Sequence, residues 1–146
     1  MQKHAFFYLN ADNKIGSGHF WRCLNIANEL SKFDTSISFL YSSLTDALLQ
    51  KLNQHNYSSS LLTDITAKNF NDVITAKSRD KNSALLIIDS DNTCFYEKEF
   101  QLGIFNTGIR LMIITVNADF HYYAHILLNQ NIIAYYQNYS TEAYTR

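Results

Sequence analysis

A chain of 146 residues, 47 % hydrophobic and 17 % charged, is long enough for one domain with a real core and too short for two of ordinary size. Its composition excludes disorder, and a net charge of -1 with a pI near 6.5 gives no electrostatic reason to expect nucleic acid or an acidic membrane. No apolar run approaches the roughly 18 residues of a membrane span, and MQKHAFFYLN lacks a signal-peptide core with a cleavage site, so the cytoplasm is the expected compartment.

The first element is AFFYLN at 5–10, an apolar and aromatic run that suits a buried strand. Asp12, Asn13 and Lys14 read as loop, and the amphipathic stretch 19–30 reads as helix. The join between them, Ile15-Gly16-Ser17-Gly18-His19-Phe20-Trp21-Arg22-Cys23, is the most informative stretch of the chain. It holds two of only four glycines in a sequence without proline. Gly16 and Gly18 let the backbone turn sharply and bring its N–H groups close to a ligand. The helix N-terminus adds partial positive charge, which disfavours the protonated form of an imidazole placed there. His19 is therefore expected to titrate below an ordinary histidine, to sit in an open cleft and to act as a neutral base near pH 7.

Strand and helix signals alternate along the rest of the chain. Residues 35–41 (TSISFLY) read as strand, and 44–55 as a helix with Leu44, Ala47, Leu48 and Leu52 on one face. A weaker strand follows at 57–62 and a helix at 69–81. The run ALLIID at 84–89 is the clearest buried strand, unbroken and ending in a carboxylate. Residues 97–106 should be helical with Gly108 as the C-cap, 111–116 a further buried strand and 126–128 a short one. This order implies an α/β fold, a mostly parallel Rossmann-like sheet with helices on both faces. Nothing reads as a repeat, a low-complexity segment or an internal linker.

Ligands in such folds bind at the carboxyl ends of the strands, which places Asn10, Asp12, His19, Asp89, Asp91 and Asn117 on one rim. Asp89 and Asp91 suit helix capping or a solvated loop equally well. Cys23 and Cys94 form no C-x-x-C pair and suggest neither a zinc site nor a disulfide framework; Cys23, one turn after His19, reads as a small packing residue. Trp21 stands where a dinucleotide fingerprint needs its third glycine, and the second strand ends in Leu40-Tyr41 with no acidic residue for a ribose. The chain has neither a P-loop nor a G-x-S-x-G elbow. His121 and His125 could share a helix face, but Tyr122 stands where a zinc-protease helix carries glutamate. His4 and His55 read as incidental.

IGSGHFWRCLNIANEL resembles the I-G-x-G-H-x-x-R-C-L-x-L-A signature of the UDP-sugar hydrolases of the pseudaminic acid pathway, which are related to spore-coat polysaccharide proteins. LLIID (85–89) is similar to the strand before that family's D-x-Y loop. LMIITVNADFHYYAHILLNQN (111–131) is similar to its strand, acidic loop and D-x-L-L-N-x-N segment. The resemblance implies the N-terminal Rossmann-like domain of a GT-B architecture and hydrolysis of a UDP-linked deoxy amino sugar for surface glycans. It implies His19 as the base that activates water, and a substrate site drawn from Asp12, Gly16, Ser17, Gly18, Arg22, Asp89, Asp91 and Asn117. It implies no metal and no other cofactor.

Several positions depart from the family pattern. Asn10 replaces an arginine before Ala-Asp, and the loop Asp12-Asn13-Lys14 is shorter. Asp91 takes the place of the D-x-Y aromatic, Val116-Asn117 that of an Asp-Asp pair, and His125 that of the D-x-L-L-N aspartate. Family members also carry a second, nucleotide-binding domain, which would begin close to Arg146. The expected organisation is one Rossmann-like domain, 1–146, with that second domain absent. Its expected partners are a UDP-sugar and either a separate chain supplying the nucleotide-binding half or a second copy, with no nucleic acid and no membrane. A non-catalytic sugar-binding or interaction domain, or a truncated GT-B remnant, is the alternative reading.

Overall fold

In the computed structural model, which describes residues 3–78, 80–131 and 137–146, the chain builds an α/β Rossmann-like fold around a six-stranded parallel sheet. The strands are β1 (Lys3–Leu9), β2 (Thr35–Tyr41), β3 (Ser58–Leu61), β4 (Ala84–Asp89), β5 (Arg110–Ile114) and β7 (Ile126–Leu128). They lie in the order β3-β2-β1-β4-β5-β7, every neighbouring pair parallel. The helices are α1 (Gly18–Ser31), α2 (Asp46–Gln54), α3 (Ala67–Lys77) and α4 (Lys98–Phe105).

Helices cover both faces. Phe20, Cys23, Leu24 and Ala27 of α1 and Leu52 of α2 pack on one side, against Ala5, Phe7, Leu9, Phe39 and Ile87. Phe70 and Ile74 of α3 and Phe100 and Ile104 of α4 pack on the other, against Phe6, Tyr8, Leu86, Ile88 and Leu111. Alternate residues of β1 thus enter two different cores. That is why its sequence is an unbroken apolar run rather than an alternating one, and each of its Phe and Leu side chains contributes about 1.5–3 kcal/mol through burial. Among the described residues no helix is long and apolar enough to cross a membrane.

The element ends show local chemistry overriding periodicity. Leu44, expected in the second helix, instead bridges Ala11 in an isolated parallel pair, and α2 starts after an extended Thr45. The third helix begins early because Thr66 Oγ1 accepts from Asn69 N (3.2 Å). It ends at Lys77, where Ser78 turns extended. Residue 79 of the expected helix lies outside the described residues, and Lys81–Ser83 form a separate 3-10 turn. Asn106, not Gly108, caps α4; Gly108 follows at φ +85°.

His121 and His125 share no helix. His121 sits in β6 (His121–Tyr122), which pairs in parallel with β8 (Ser140–Thr141) outside the main sheet. His125 precedes β7, and its Nδ1 accepts from Leu111 N (3.1 Å). Among the described residues no group of three or more His, Cys, Asp or Glu side chains is placed to hold a metal ion.

The two helices on one face meet at Gly103, where an added Cβ would lie 2.5 Å from the Ala67 side chain. Gly103→Ala should therefore push α3 and α4 apart and destabilise the fold by about 1–3 kcal/mol. Urea unfolding checks this, and an unchanged midpoint would show that the helices slide apart freely.

Candidate functional site

The sheet order reverses at β1: α1 leads away to β2 and β3 on one side, and later crossovers bring β4 and β5 to the other. The carboxyl ends of β1 and β4, where Leu9 pairs with Asp89, therefore open a crevice at the topological switch point, the usual ligand position in such sheets. His19, in the first turn of α1, and Asp89, the last residue of β4, meet there across 70 residues of sequence.

The loop from β1 into α1 is shaped by its own side chains. Asp12 Oδ1 accepts from Lys14 N (2.8 Å) and Ile15 N (2.9 Å), and Asp12 Oδ2 accepts from Ser43 Oγ (2.8 Å). The bonds from Ile15, Ser43 and Lys14 hold this carboxyl below its ordinary range. Gly16 sits at φ +82°, a conformation costly for any other L-residue. Asn10 Oδ1 accepts from Ser42 N, Ser42 Oγ and Ser43 N at 2.9, 2.9 and 3.2 Å, tying the end of β1 to the end of β2. Ser17 is the N-cap of α1 but makes no side-chain cap bond, and the first turn carries no acidic residue.

Asp89 is the hub of the site, with only 1 % of its side chain exposed. His19 Nδ1 donates to its Oδ1 (2.7 Å) and lies 3.0 Å from its backbone oxygen. Arg22 Nε donates to Oδ2 and a terminal Arg22 nitrogen to Oδ1, both at 2.5 Å. The buried Cys23 thiol donates to Oδ2 at 3.8 Å. Positions 19, 22 and 23 are i, i+3 and i+4, so one face of α1 presents all three donors to a single carboxylate. Burial pushes the Asp89 carboxyl up, but the bonds from His19 and Arg22 outweigh it and hold the group below its ordinary range. Burial, with the adjacent Asp89 charge, raises the Cys23 thiol well above the ordinary cysteine value; it serves as a packed donor, not a nucleophile.

Nδ1 of His19 faces two acceptors, so it carries the proton, and Nε2 is left to face outward as the basic nitrogen of the neutral ring. The sign of the His19 shift is opposite to the expectation from the helix N-terminus. The hydrogen bond that Nδ1 donates to Asp89 raises its pKa, partial burial opposes this, and the charges of Asp89 and Asp91 add to the rise. A buried carboxylate at 2.7 Å acts on the ring more strongly than a fractional helix charge that solvent reaches.

Nε2 lies 3.4 Å from Oδ2 of the exposed Asp91. Capping of the Thr93–Tyr96 3-10 turn falls to Asn92, whose Oδ1 accepts from Cys94 N (3.1 Å), and not to either aspartate. His19 opens on a cleft of about 400 Å³ lined by Asn10, Lys14, Ile15, His19, Ser90, Asp91 and Asn92. Of the residues singled out from the sequence, the cleft lining and the Asp89 cluster bring together Asn10, His19, Arg22, Asp89 and Asp91. Asp12, Gly16 and Ser17 belong to the loop beside the cleft and Gly18 opens α1; none of the four lines it. Asn117 lies in the loop after β5, its Oδ1 bonded to Asp119 N (2.8 Å) and its carbonyl to Tyr122 OH (2.5 Å). Lys14, Ile15, Ser90 and Asn92 are cleft residues that the sequence does not single out; Lys14 and Ile15 are marked only by their place in the loop and glycine turn before α1, Ser90 and Asn92 only by adjacency to Asp91.

The arrangement defines a class: a Rossmann-like α/β protein with a carboxylate-oriented histidine at the switch point of its sheet. No family model, curated protein or solved structure matches the chain.

Proposed function

We propose that the chain is the base-bearing half of a cytoplasmic hydrolase that acts on a UDP-linked deoxy amino sugar, with a GT-B-like second half supplied by another chain or a second copy. The observation that carries this reading is the Asp89–His19 pair, whose Nε2 is turned away from Asp89 toward the cleft-lining Asp91. A buried carboxylate fixes the tautomer and orientation of an imidazole whose other nitrogen can take a proton, as general-base catalysis requires. The cleft volume falls within the roughly 300–1,000 Å³ usual for small-molecule sites.

In this scheme Nε2 accepts a proton from water as the water oxygen bonds to the anomeric carbon. The bond from that carbon to the diphosphate oxygen breaks, and UDP leaves with its electron pair. Asp89 stays ionised and stabilises the imidazolium that forms. Asn10, Asn92, Asp91 and Lys14 offer polar groups suited to a sugar, and Ile15 an apolar patch. The similarity of IGSGHFWRC to the hydrolase signature supports the substrate class.

A second reading, a sugar-binding domain without turnover, is favoured by one observation: Asp91 stands against Nε2, on the side where water would approach. Incubating the pure chain with the UDP-linked diacetamido trideoxy sugar and following UDP release separates the two. The expected result is feeble release by the chain alone, because in this scheme the other half grips the diphosphate and positioning supplies much of the barrier lowering. Release should rise when a nucleotide-binding half is added. Sugar binding without release in either case would establish the binding domain.

A further inference from the structure

His19 is held between two carboxylates of opposite character. Asp89 on the Nδ1 side is buried and shared with Arg22 and Cys23. Asp91 on the Nε2 side is 89 % exposed, and His19 is the only ion-pair contact that the described residues give its carboxylate; its charge also reaches Arg22 and Tyr96. The 3.4 Å separation is longer than a good charge-assisted hydrogen bond. Asp91 follows β4 by two residues, and the turn behind it is capped by Asn92 and anchored by Tyr96, whose hydroxyl donates to Ser90 O (3.1 Å). The backbone on either side of Asp91 is thus tied by hydrogen bonds while its side chain stands in solvent.

We propose that Asp91 is a positioning residue for His19: its carboxylate closes the outer edge of the imidazole in the resting protein and must swing into the cleft, with any proton held on Nε2 released to solvent, before that nitrogen can take a proton from a bound water. The inference rests on the reading of His19 as the base of this site. It adds that a ligand hydroxyl or amine that engages Asp91 draws the carboxylate off Nε2 and so readies the base, which ties proton uptake to occupancy of the cleft by a hydrogen-bond-donating ligand such as a sugar.

The charged and titratable groups around the ring make the contribution of Asp91 separable. Asp89 reaches it from β4, Arg22 and Cys23 from α1, and Asp91 from the loop after β4; Lys14 lines the same cleft from the β1–α1 loop. Asp12 in that loop is engaged with its own backbone and Ser43. Asp89, Arg22 and Cys23 are locked into one cluster, so replacing the exposed Asp91 leaves their geometry in place.

NMR titration of the His19 ring in the whole chain tests the assignment without any substrate. Asp91→Asn should lower the His19 midpoint by about half a pH unit, the scale of one exposed ion pair, while the Nδ1 proton donated to Asp89 stays protected. Asp91→Glu should keep the midpoint near that of the parent. An unchanged midpoint in Asp91→Asn, or an equal fall in Asp91→Glu, overturns the proposal. A lowered midpoint in a protein that never releases UDP, even with a nucleotide-binding half added, would sink the hydrolase reading and leave Asp91 in its role.

Discussion

Asp89→Ala is expected to destabilise the fold by about 3 kcal/mol, the low end of the cost of stranding the partners of a buried charge. The low end applies because Arg22 and His19, at 23 % and 16 % side-chain exposure, can recover part of their hydration. The loss should depend on pH. Asp89 is depressed in the folded chain despite its burial, through His19 and Arg22. Its contribution is present above the unfolded value of about 3.9 and fades as pH falls through the lower folded value. His19 is raised, first through its bond to Asp89. Its contribution is complete below about 6.5 and fades as pH rises through the folded value. The gap between parent and variant should therefore be widest between about pH 4 and 6.5. It should narrow in acid, and narrow only partly in base because Arg22 keeps its charge. Urea unfolding in acid, near pH 5.5 and in mild base would reveal this profile. A gap that is flat across these conditions would mean that the ion cluster adds little beyond packing.

On the hydrolase reading proposed above, the second large effect falls on turnover. With the complementary half present, His19→Asn should reduce UDP release by about 10²- to 10⁴-fold, the range for loss of a general base. Asparagine retains a donor toward Asp89, so the fold should survive, and circular dichroism would verify that. The pH profile carries more information. Because the bond to Asp89 raises the His19 pKa, the base becomes free only as pH rises through that higher value, so the parent rate should climb on the alkaline side of about 6.5. The variant should lose that limb. A variant with undiminished release would place the base elsewhere, and a parent rate that rises in acid would make His19 a proton donor.

The contrast between α1 and the small β6–β8 ladder shows what kind of information one chain carries in its order of residues. The i, i+3, i+4 spacing of His19, Arg22 and Cys23 is local, set by the helix repeat, and is legible in the order of residues alone. The two-residue strands at His121 and Ser140 pair across 19 residues with no periodicity to announce them. Their existence depends on where the chain returns, and the helix face that the i, i+4 spacing of His121 and His125 allowed does not form. Helix ends behaved similarly: Ser78 stops α3 by turning extended, a local choice that an apolar repeat does not encode.

What the sequence by itself determined is the layered parallel sheet and the placing of a histidine where its first strand gives way to a helix. Apolar runs such as AFFYL and ALLIID must be buried on both sides, and alternating helices are what cover them. Only the tertiary structure decided what that histidine faces. The register that sets Leu9 beside Asp89 brings a buried carboxylate to Nδ1 and Asp91 to Nε2, from a strand some 70 residues away. That pairing reversed the direction of the His19 shift, because a full charge in contact and shielded from water outweighs the fractional charge of a helix end. Periodicity is a property of neighbours in sequence, whereas a pKa is set by neighbours in space.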